Sequence, residues 1–101
     1  MEIDTQMIGK TLYVNITGEI DHHNAGRIKQ IIETEYSQNS GVDIVFDFSQ
    51  VSFMDSSGIG MIMGRYKNLV PKGKIKVVGV QAGIRRIFDI SGLHNIITIG
   101  E

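Results

Sequence analysis

Two hydroxyls and a carboxylate stand together in the segment FMDSSGIGMIMGRYK, residues 53–67, directly ahead of a glycine-rich apolar stretch. Such residues serve three chemistries: a nucleophilic serine, a loop that cradles phosphate, or a serine that another protein modifies. A nucleophile elbow needs glycine two residues before its serine, but Met54 precedes Ser56 and Asp55 precedes Ser57 at that spacing. The segment is therefore not typical of a serine hydrolase.

A nucleotide cradle is the second interpretation, because GIGMIMG opens like the G-x-G-x-x-G phosphate-binding pattern. Met63 stands where that pattern needs a small residue, and Arg65 is not followed by the Ser or Thr of a Walker motif. The simpler interpretation is that Gly60 and Gly64, one turn apart, let a helix lie close to its neighbour. A small nucleotide-binding or nucleotide-hydrolysing domain stays open as an alternative function.

Modification by another protein is the third interpretation. A serine at the start of a helix, on a loop at a sheet edge, is accessible to a kinase, and phosphorylation there adds about −1.5 to −2 charges. The alternative is that one hydroxyl only caps the helix by accepting a backbone N–H bond. Neighbouring serines can take the two roles separately, so the residues alone do not choose between Ser56 and Ser57.

A second polar cluster, GEIDHHNA at residues 18–25, combines two carboxylates with two imidazoles. A metal site is one interpretation, but the adjacent His22 and His23 point in different directions on a helix or a strand. Asp21 acting as a helix cap, with both histidines solvated, explains the cluster more simply. We therefore expect neither a metal nor a cofactor.

The elements that must position these residues follow from the hydrophobic periods. TLYVNITG alternates, which predicts a half-buried strand, and Gly9-Lys10 can turn the weaker strand EIDTQMI back onto it as a hairpin. VDIVFDF, KIKVVGV and NIITI are typical of further strands. Helical spacing predicts three helices: one from Ala25 to Tyr36, one that Pro71 stops, and GIRRIFDISG, which Gly92 ends.

The predicted order is β-β-α-β-α-β-α-β, a single α/β domain over residues 1–101 with a mixed sheet and packed helices. The quoted segment lies between a strand that ends near Phe48 and a helix that begins near Ser57. Sites in such sheets gather where strands end at their carboxyl edge and helices begin. The helix is expected to bury one stripe, formed by Ile59, Ile62, Met63, Tyr66, Leu69 and Val70.

Composition limits the function classes. A formal charge of −1 supplies no field for nucleic acid or anionic membrane, and no apolar run reaches the roughly 18 residues of a membrane span. The absence of cysteine excludes a disulfide framework and a thiolate metal site, and it fits the cytosol. The acidic, polar start is not that of a signal peptide. We expect a cytoplasmic protein that binds neither nucleic acid nor membrane.

Three stretches, NITGEIDHH, FMDSSGIG continuing through GRYK, and RRIFDISGL, resemble the anti-sigma factor antagonists of the STAS-domain family. They follow the family's order along nearly the whole chain, and the likeness is closest to the sporulation members that antagonise an anti-sigma F factor. The predicted element order agrees with the family fold. Family members usually carry a further C-terminal helix, whereas this sequence ends at Glu101.

The resemblance implies a regulatory protein that is not an enzyme. In such a system the unphosphorylated protein binds an anti-sigma factor that is also a serine kinase, which frees a sigma factor for sporulation-specific transcription. The kinase phosphorylates the antagonist, which then dissociates, and a metal-dependent serine phosphatase restores it. A stress-response paralogue of the same family is the alternative within this class.

Matched residue by residue, the family's phosphoserine falls on Ser56. The resemblance implies partner contacts at Asp55, Ser57 and Gly58, which flank that serine, and at Asp21, whose loop lies beside it in the family fold. From helical spacing, Met61 is predicted to lie off the buried stripe. It could there be an adaptable partner contact, or it could cover a neighbouring loop.

Overall fold

The computed structural model describes residues 1–38, 43–69, 74–95 and 97–100, with side chains given except for 36–38 and 65–69. Its elements confirm the predicted fold class and order, with one short 3₁₀ turn added before the last strand. In chain order they are β1 Glu2–Ile8, β2 Thr11–Ile20, α1 Ala25–Gln38, β3 Asp43–Met54, α2 Ser56–Leu69, β4 Ile75–Val78, α3 Ala82–Ser91, the 3₁₀ turn Leu93–Asn95 and β5 Thr98–Ile99.

One mixed sheet carries the fold, with its described strands in the order β1-β2-β3-β4-β5. β1 pairs antiparallel with β2, and every later neighbour pairs in parallel. Because each parallel strand is added on the same side of the previous one, right-handed crossovers put α1, α2 and α3 on one face of the sheet. The other face has no helix over it in the described part of the chain.

The core lies between the sheet and that single helical layer. The alternation of β2 is confirmed, since Leu12, Val14 and Ile16 are fully buried. The helical spacing of α1 is confirmed at Ile28 and Ile32. Further buried side chains come from the other helices: Ile62, Ile84 and Phe88. The inward placement predicted for Tyr36, Tyr66, Leu69 and Val70, and the stop at Pro71, lie outside the described residues and side chains.

β3 extends further than the sequence predicts. Its end was expected near Phe48, but the strand runs to Met54, and α2 begins one residue earlier than expected, at Ser56. Two register shifts against β2 each add one residue to β3. Inward positions after Phe48 therefore fall three residues apart, at Val51 and Met54. Since a strand is recognised by alternation, this spacing concealed the second half of β3.

Two glycines end elements as predicted. Gly9 has φ +61° in the turn between β1 and β2. Gly92 has φ +77° after α3, and its N–H donates to the carbonyl oxygens of Phe88 and Asp89. Residues with a side chain rarely adopt this left-handed backbone conformation, so glycine is favoured at both positions.

Candidate functional site

The carboxyl ends of β2 and β3 meet at one edge of the sheet. Ile20, the last residue of β2, is paired with Met54, the last residue of β3. Immediately beyond this pair, the Asp55 N–H donates to the Ile20 carbonyl oxygen over 3.1 Å. The loops that carry Asp21 and Asp55 are thereby joined, so the two polar clusters found in the sequence form one site.

The Asp21 turn closes on itself. Asp21 Oδ1 accepts the N–H groups of His23 at 2.9 Å and Asn24 at 3.2 Å, while Asn24 Oδ1 accepts the Asp21 N–H at 3.0 Å. Asn24 Nδ2 also donates to the Glu19 carbonyl oxygen over 2.7 Å. This reciprocal arrangement resembles a capping box and leads into α1 through a bond from the Ala25 N–H to the Asp21 carbonyl. The capping role predicted for Asp21 is confirmed.

Sequence reasoning missed Asn24, although its spacing was a usable signal. The pattern D-x-x-N places an amide three residues after a capping carboxylate, where it can reach back to the first residue's N–H. The two histidines between them lie in the turn and not on a regular helix or strand. Their rings therefore do not diverge as expected: the centroids of His22 and His23 are 4.0 Å apart.

Asp55 caps the second helix of the site. Its Oδ1 accepts the Ser57 N–H at 2.8 Å, and its carbonyl oxygen accepts the Gly58 N–H at 3.1 Å. The capping group of α2 is thus a carboxylate and not a serine hydroxyl. Within the described parts of the chain neither Ser56 nor Ser57 donates or accepts through its hydroxyl, so the alternative role proposed for these hydroxyls is wrong.

The two serines differ in exposure. Ser56, the first residue of α2, is exposed, whereas Ser57 is half-buried. The second oxygen of the neighbouring carboxylate, Asp55 Oδ2, lies 3.9 Å from His22 Nδ1, and the His22 side chain is 71% exposed. Among described residues no imidazole or carboxylate lies within hydrogen-bonding distance of the Ser56 hydroxyl. The described part of the site thus offers an accessible hydroxyl but no base to activate it.

The glycines of α2 do not act as predicted. A Cβ built on Gly60 or Gly64 meets nothing within 4 Å, so these two do not allow a close helix contact. The close contact is at Gly58, where a Cβ would collide with the side chain of Met54 and approach Ile20 Cγ2 to 3.2 Å. All three glycines lie within the helix, whereas a phosphate cradle places glycines in the loop before it.

The placement predicted for Met61 is wrong. The residue is only 5% exposed and belongs to the hydrophobic core. The buried face of α2 is displaced from the stripe read from its spacing: Ile62 is buried as predicted, but Ile59 and Met63 are only half-buried. A partner contact at Met61 stays a prediction, but the side chain has little surface to offer. Gly58 is buried as well.

Two further properties bear on the site. Among the described residues, no group of three or more His, Asp or Glu side chains is arranged to hold a metal ion. None of the described helices combines the length and the apolar character that crossing a membrane requires.

Comparison with known proteins gives a consistent result. The STAS domain family model matches residues 2–101. The chain is 33% identical over 100 residues to the anti-sigma F factor antagonist of Paenibacillus polymyxa, covering 98% of this chain and 86% of that protein. It is 34% identical over 85 residues to the anti-sigma-B factor antagonist of Listeria monocytogenes, covering 83% of this chain and 74% of that protein.

Among solved structures, the chain is similar to the Bacillus cell fate determinant SpoIIAA in its phosphorylated form. The TM-score is 0.76 at 29% identity, with 99% of this chain and 92% of that chain covered. The likeness therefore extends over the whole domain, including the site at the carboxyl ends of β2 and β3.

Proposed function

The chain belongs to the STAS-domain family, and we propose that it is an anti-sigma factor antagonist whose binding is switched off by phosphorylation of Ser56. Relatives of similar identity are anti-sigma factor antagonists, and one similar structure is of a phosphorylated form. In its unphosphorylated form the protein binds an anti-sigma factor that is also a serine kinase, and so releases the sigma factor in the cytoplasm. A metal-dependent serine phosphatase reverses the modification.

The observation that carries this proposal is the exposed hydroxyl of Ser56 at the first position of α2. No described side chain activates it, which suits a residue that a kinase modifies better than a nucleophile of the protein's own. Ser57 is half-buried, so its hydroxyl is less accessible to a kinase than that of Ser56. We infer that the protein is not an enzyme.

Phosphate transfer from a partner kinase tests the proposal directly. Incubation with ATP and an anti-sigma factor kinase should add one phosphate to the wild type and to Ser57→Ala, as read by intact mass. Ser56→Ala should remain unmodified and still bind the kinase. Phosphate found on Ser56→Ala would overturn the assignment of the site.

The same experiment separates this function from nucleotide hydrolysis. Nucleotide without the kinase should give neither turnover nor a shift in melting temperature. Turnover by the protein alone would favour the nucleotide-hydrolysing alternative, which the position of the glycines inside α2 does not support.

We further propose that the sigma factor concerned is the sporulation type. The sequence DHH followed by MDSSG and GRYK supports this choice. Relatives from the sigma-F and sigma-B systems are about equally similar, at 33% and 34% identity, so identity alone does not favour either. Titrating the protein with an anti-sigma F kinase and with an anti-sigma-B kinase should show tighter binding to the former. Tighter binding to the latter would make it a stress-response paralogue.

A further inference from the structure

The two edges of the described sheet are unlike one another. At one edge, β5 has only two residues, Thr98 and Ile99. At the other, β1 has seven, and all seven pair with β2 without a register shift. Soluble proteins protect sheet edges with short strands, lysine, proline, bulges or inward-pointing charges, because an open edge can pair with another strand. The short β5 has such protection. β1 is long and pairs without a bulge, it has no lysine or proline, and its two charged side chains, Glu2 and Asp4, lie on the open face and not on the helical side.

The free side of β1 also carries an apolar surface. Ile3, Thr5 and Met7 point toward the helical layer, opposite buried residues of β2. All three are only half-buried, and the two apolar ones pack against the rim of the core. A strand added beside β1 would cover the part of them that remains exposed.

We propose that β1 is a self-pairing edge, through which two copies of this chain form one continuous sheet. The two β1 strands run antiparallel about a two-fold axis at Thr5, so that Thr5 faces the partner's Thr5. On the helical side, Ile3 then lies opposite the partner's Met7. On the open side, Asp4 lies opposite the partner's Gln6, and Glu2 lies opposite the partner's Ile8.

The pairing of Ile3 with the partner's Met7, together with the charges, favours this register over its neighbours. This register places the half-buried Ile3 opposite the partner's Met7 and sets no like charges directly opposite each other, and both features favour cross-strand pairing. A slip of two residues that centres the axis on Asp4 would set two carboxylates face to face. A slip of one residue would place inward residues opposite outward ones and put the two helical layers on opposite faces of the sheet.

This interface goes beyond the proposed function and leaves its site accessible. Ser56 follows the carboxyl end of β3, whereas β1 lies at the lateral edge, beyond β2. A pair of chains joined at β1 would therefore carry two uncovered sites. One strand pair is a small contact, so we expect a weak dimer that forms as concentration rises.

Matched charge variants at Gln6 test the register. Gln6 is exposed on the open side, and each dimer places it twice opposite Asp4 of the other copy. Gln6→Lys creates two opposite-charge pairs and should tighten the dimer, while Gln6→Glu creates two like-charge pairs and should weaken it. The dissociation constant should move roughly 2- to 30-fold in each direction, measured by sedimentation equilibrium. Shifts in the same direction would overturn the register.

Disulfide trapping tests the two-fold axis itself. The chain has no cysteine, so an introduced thiol has only its copy in a second chain to bond with. Thr5→Cys should form a disulfide-linked dimer rapidly under mild oxidation, because the two thiols face each other across the axis. Gln6→Cys is the control, since its thiol would face the partner's Asp4, and it should cross-link slowly.

The proposal is overturned if the two cysteine variants cross-link at equal rates. It is also overturned if the wild type remains monomeric up to the millimolar range and the Gln6 variants do the same. That second result would favour the alternative that the β1 edge pairs with a strand from a different protein. Binding of the wild type to an anti-sigma factor is measured separately, so the proposed function is tested independently of the dimer.

Discussion

The turns that follow β2 and β3 are both capped by an aspartate, but they differ in which polar side chains remain without a hydrogen bond among the described residues. Each begins with an aspartate whose Oδ1 accepts a backbone N–H at the entry to a helix. In the first turn, Asn24 binds back to Asp21 and to the preceding strand, so both side chains are engaged within the turn. In the second turn, the residue after Asp55 is Ser56, whose exposed hydroxyl has no described partner.

Under the proposed function, the first turn has a structural role and the second presents the residue that is modified. In the first turn, the side chains of Asp21 and Asn24 form hydrogen bonds within the turn and to the preceding strand, and these bonds fix the loop beside the site. The second uses one carboxylate oxygen for the cap and leaves the other 3.9 Å from the exposed His22. The Ser56 hydroxyl, which we propose a kinase modifies, is exposed at the first position of α2, and no described residue forms a hydrogen bond with it.

The largest effect that follows from this comparison is on partner binding. Ser56→Asp should fold normally, yet bind the anti-sigma factor at least about 100-fold more weakly, because a carboxylate without a compensating partner costs several kcal/mol in an interface matched to a neutral hydroxyl. Ser56→Ala, which keeps the site neutral, should bind like the wild type. Isothermal titration calorimetry measures both. Wild-type affinity in Ser56→Asp would mean that the hydroxyl lies outside the interface.

The next largest effect is on stability and concerns how α2 is held above the strands. Gly58→Ala forces a methyl group against Met54 and should lower the free energy of unfolding by about 1 to 3 kcal/mol. Gly60→Ala is the matched control on the same helix. Its methyl group meets open space, so it should be neutral or stabilise by up to about 1 kcal/mol.

Urea unfolding of these two variants measures the difference. A loss at Gly60→Ala as large as at Gly58→Ala would contradict the contact geometry, since only one of the two positions is occupied by a neighbouring side chain.

The sequence predicts the architecture because most of its elements keep one regular period. The alternation in β2 and the helical spacing in α1 each match the buried residues, and Gly92 ends α3 where expected. The cap at Asp21 was also predictable, since aspartate is a strong capping residue and a helical pattern follows it.

The features that could not be predicted from the sequence depend on contacts between elements. The second half of β3 was missed because two bulges break its alternation. Met61 was misplaced because spacing gives the direction of a side chain, whereas burial depends on what covers that direction. Gly58 and Gly60 look equivalent in sequence, and only the position of Met54 distinguishes them. The choice of Ser56 over Ser57 came from the family resemblance and not from the residues.

A smaller effect is expected at the first turn. Asp21→Ala removes the carboxylate cap and should cost about 0.5 to 2 kcal/mol of stability, whereas Asp21→Asn should keep nearly all of it, because asparagine caps about as well. Phosphorylation and kinase binding are then measured on Asp21→Asn. A defect with intact stability would support a partner contact at Asp21. Wild-type behaviour would leave this residue with the capping role alone.

The smallest expected effect is that of phosphorylation on the fold itself. A phosphate on Ser56 lies at the N-terminus of α2, where the helix dipole favours an anion by about 0.3 to 1 kcal/mol. The Asp55 carboxylate opposes it by about 1 kcal/mol per unit charge at 4 Å in water, and Ser56 is exposed enough for water to screen the pair. These contributions are similar in size and opposite in sign, so the free energy of unfolding should change little.

Amide NMR spectra of the two modification states measure this expectation. Chemical-shift changes should be confined to the turn at Asp55 and Ser56, the start of α2, and the neighbouring Asp21 turn, which is joined to it through Ile20. Kinase-treated Ser56→Ala should give an unchanged spectrum. If shifts spread through β4 and β5, phosphorylation would act by rearranging the domain. If they remain local, the added charge blocks docking directly, because the surface that the partner meets is the only part of the molecule that has changed.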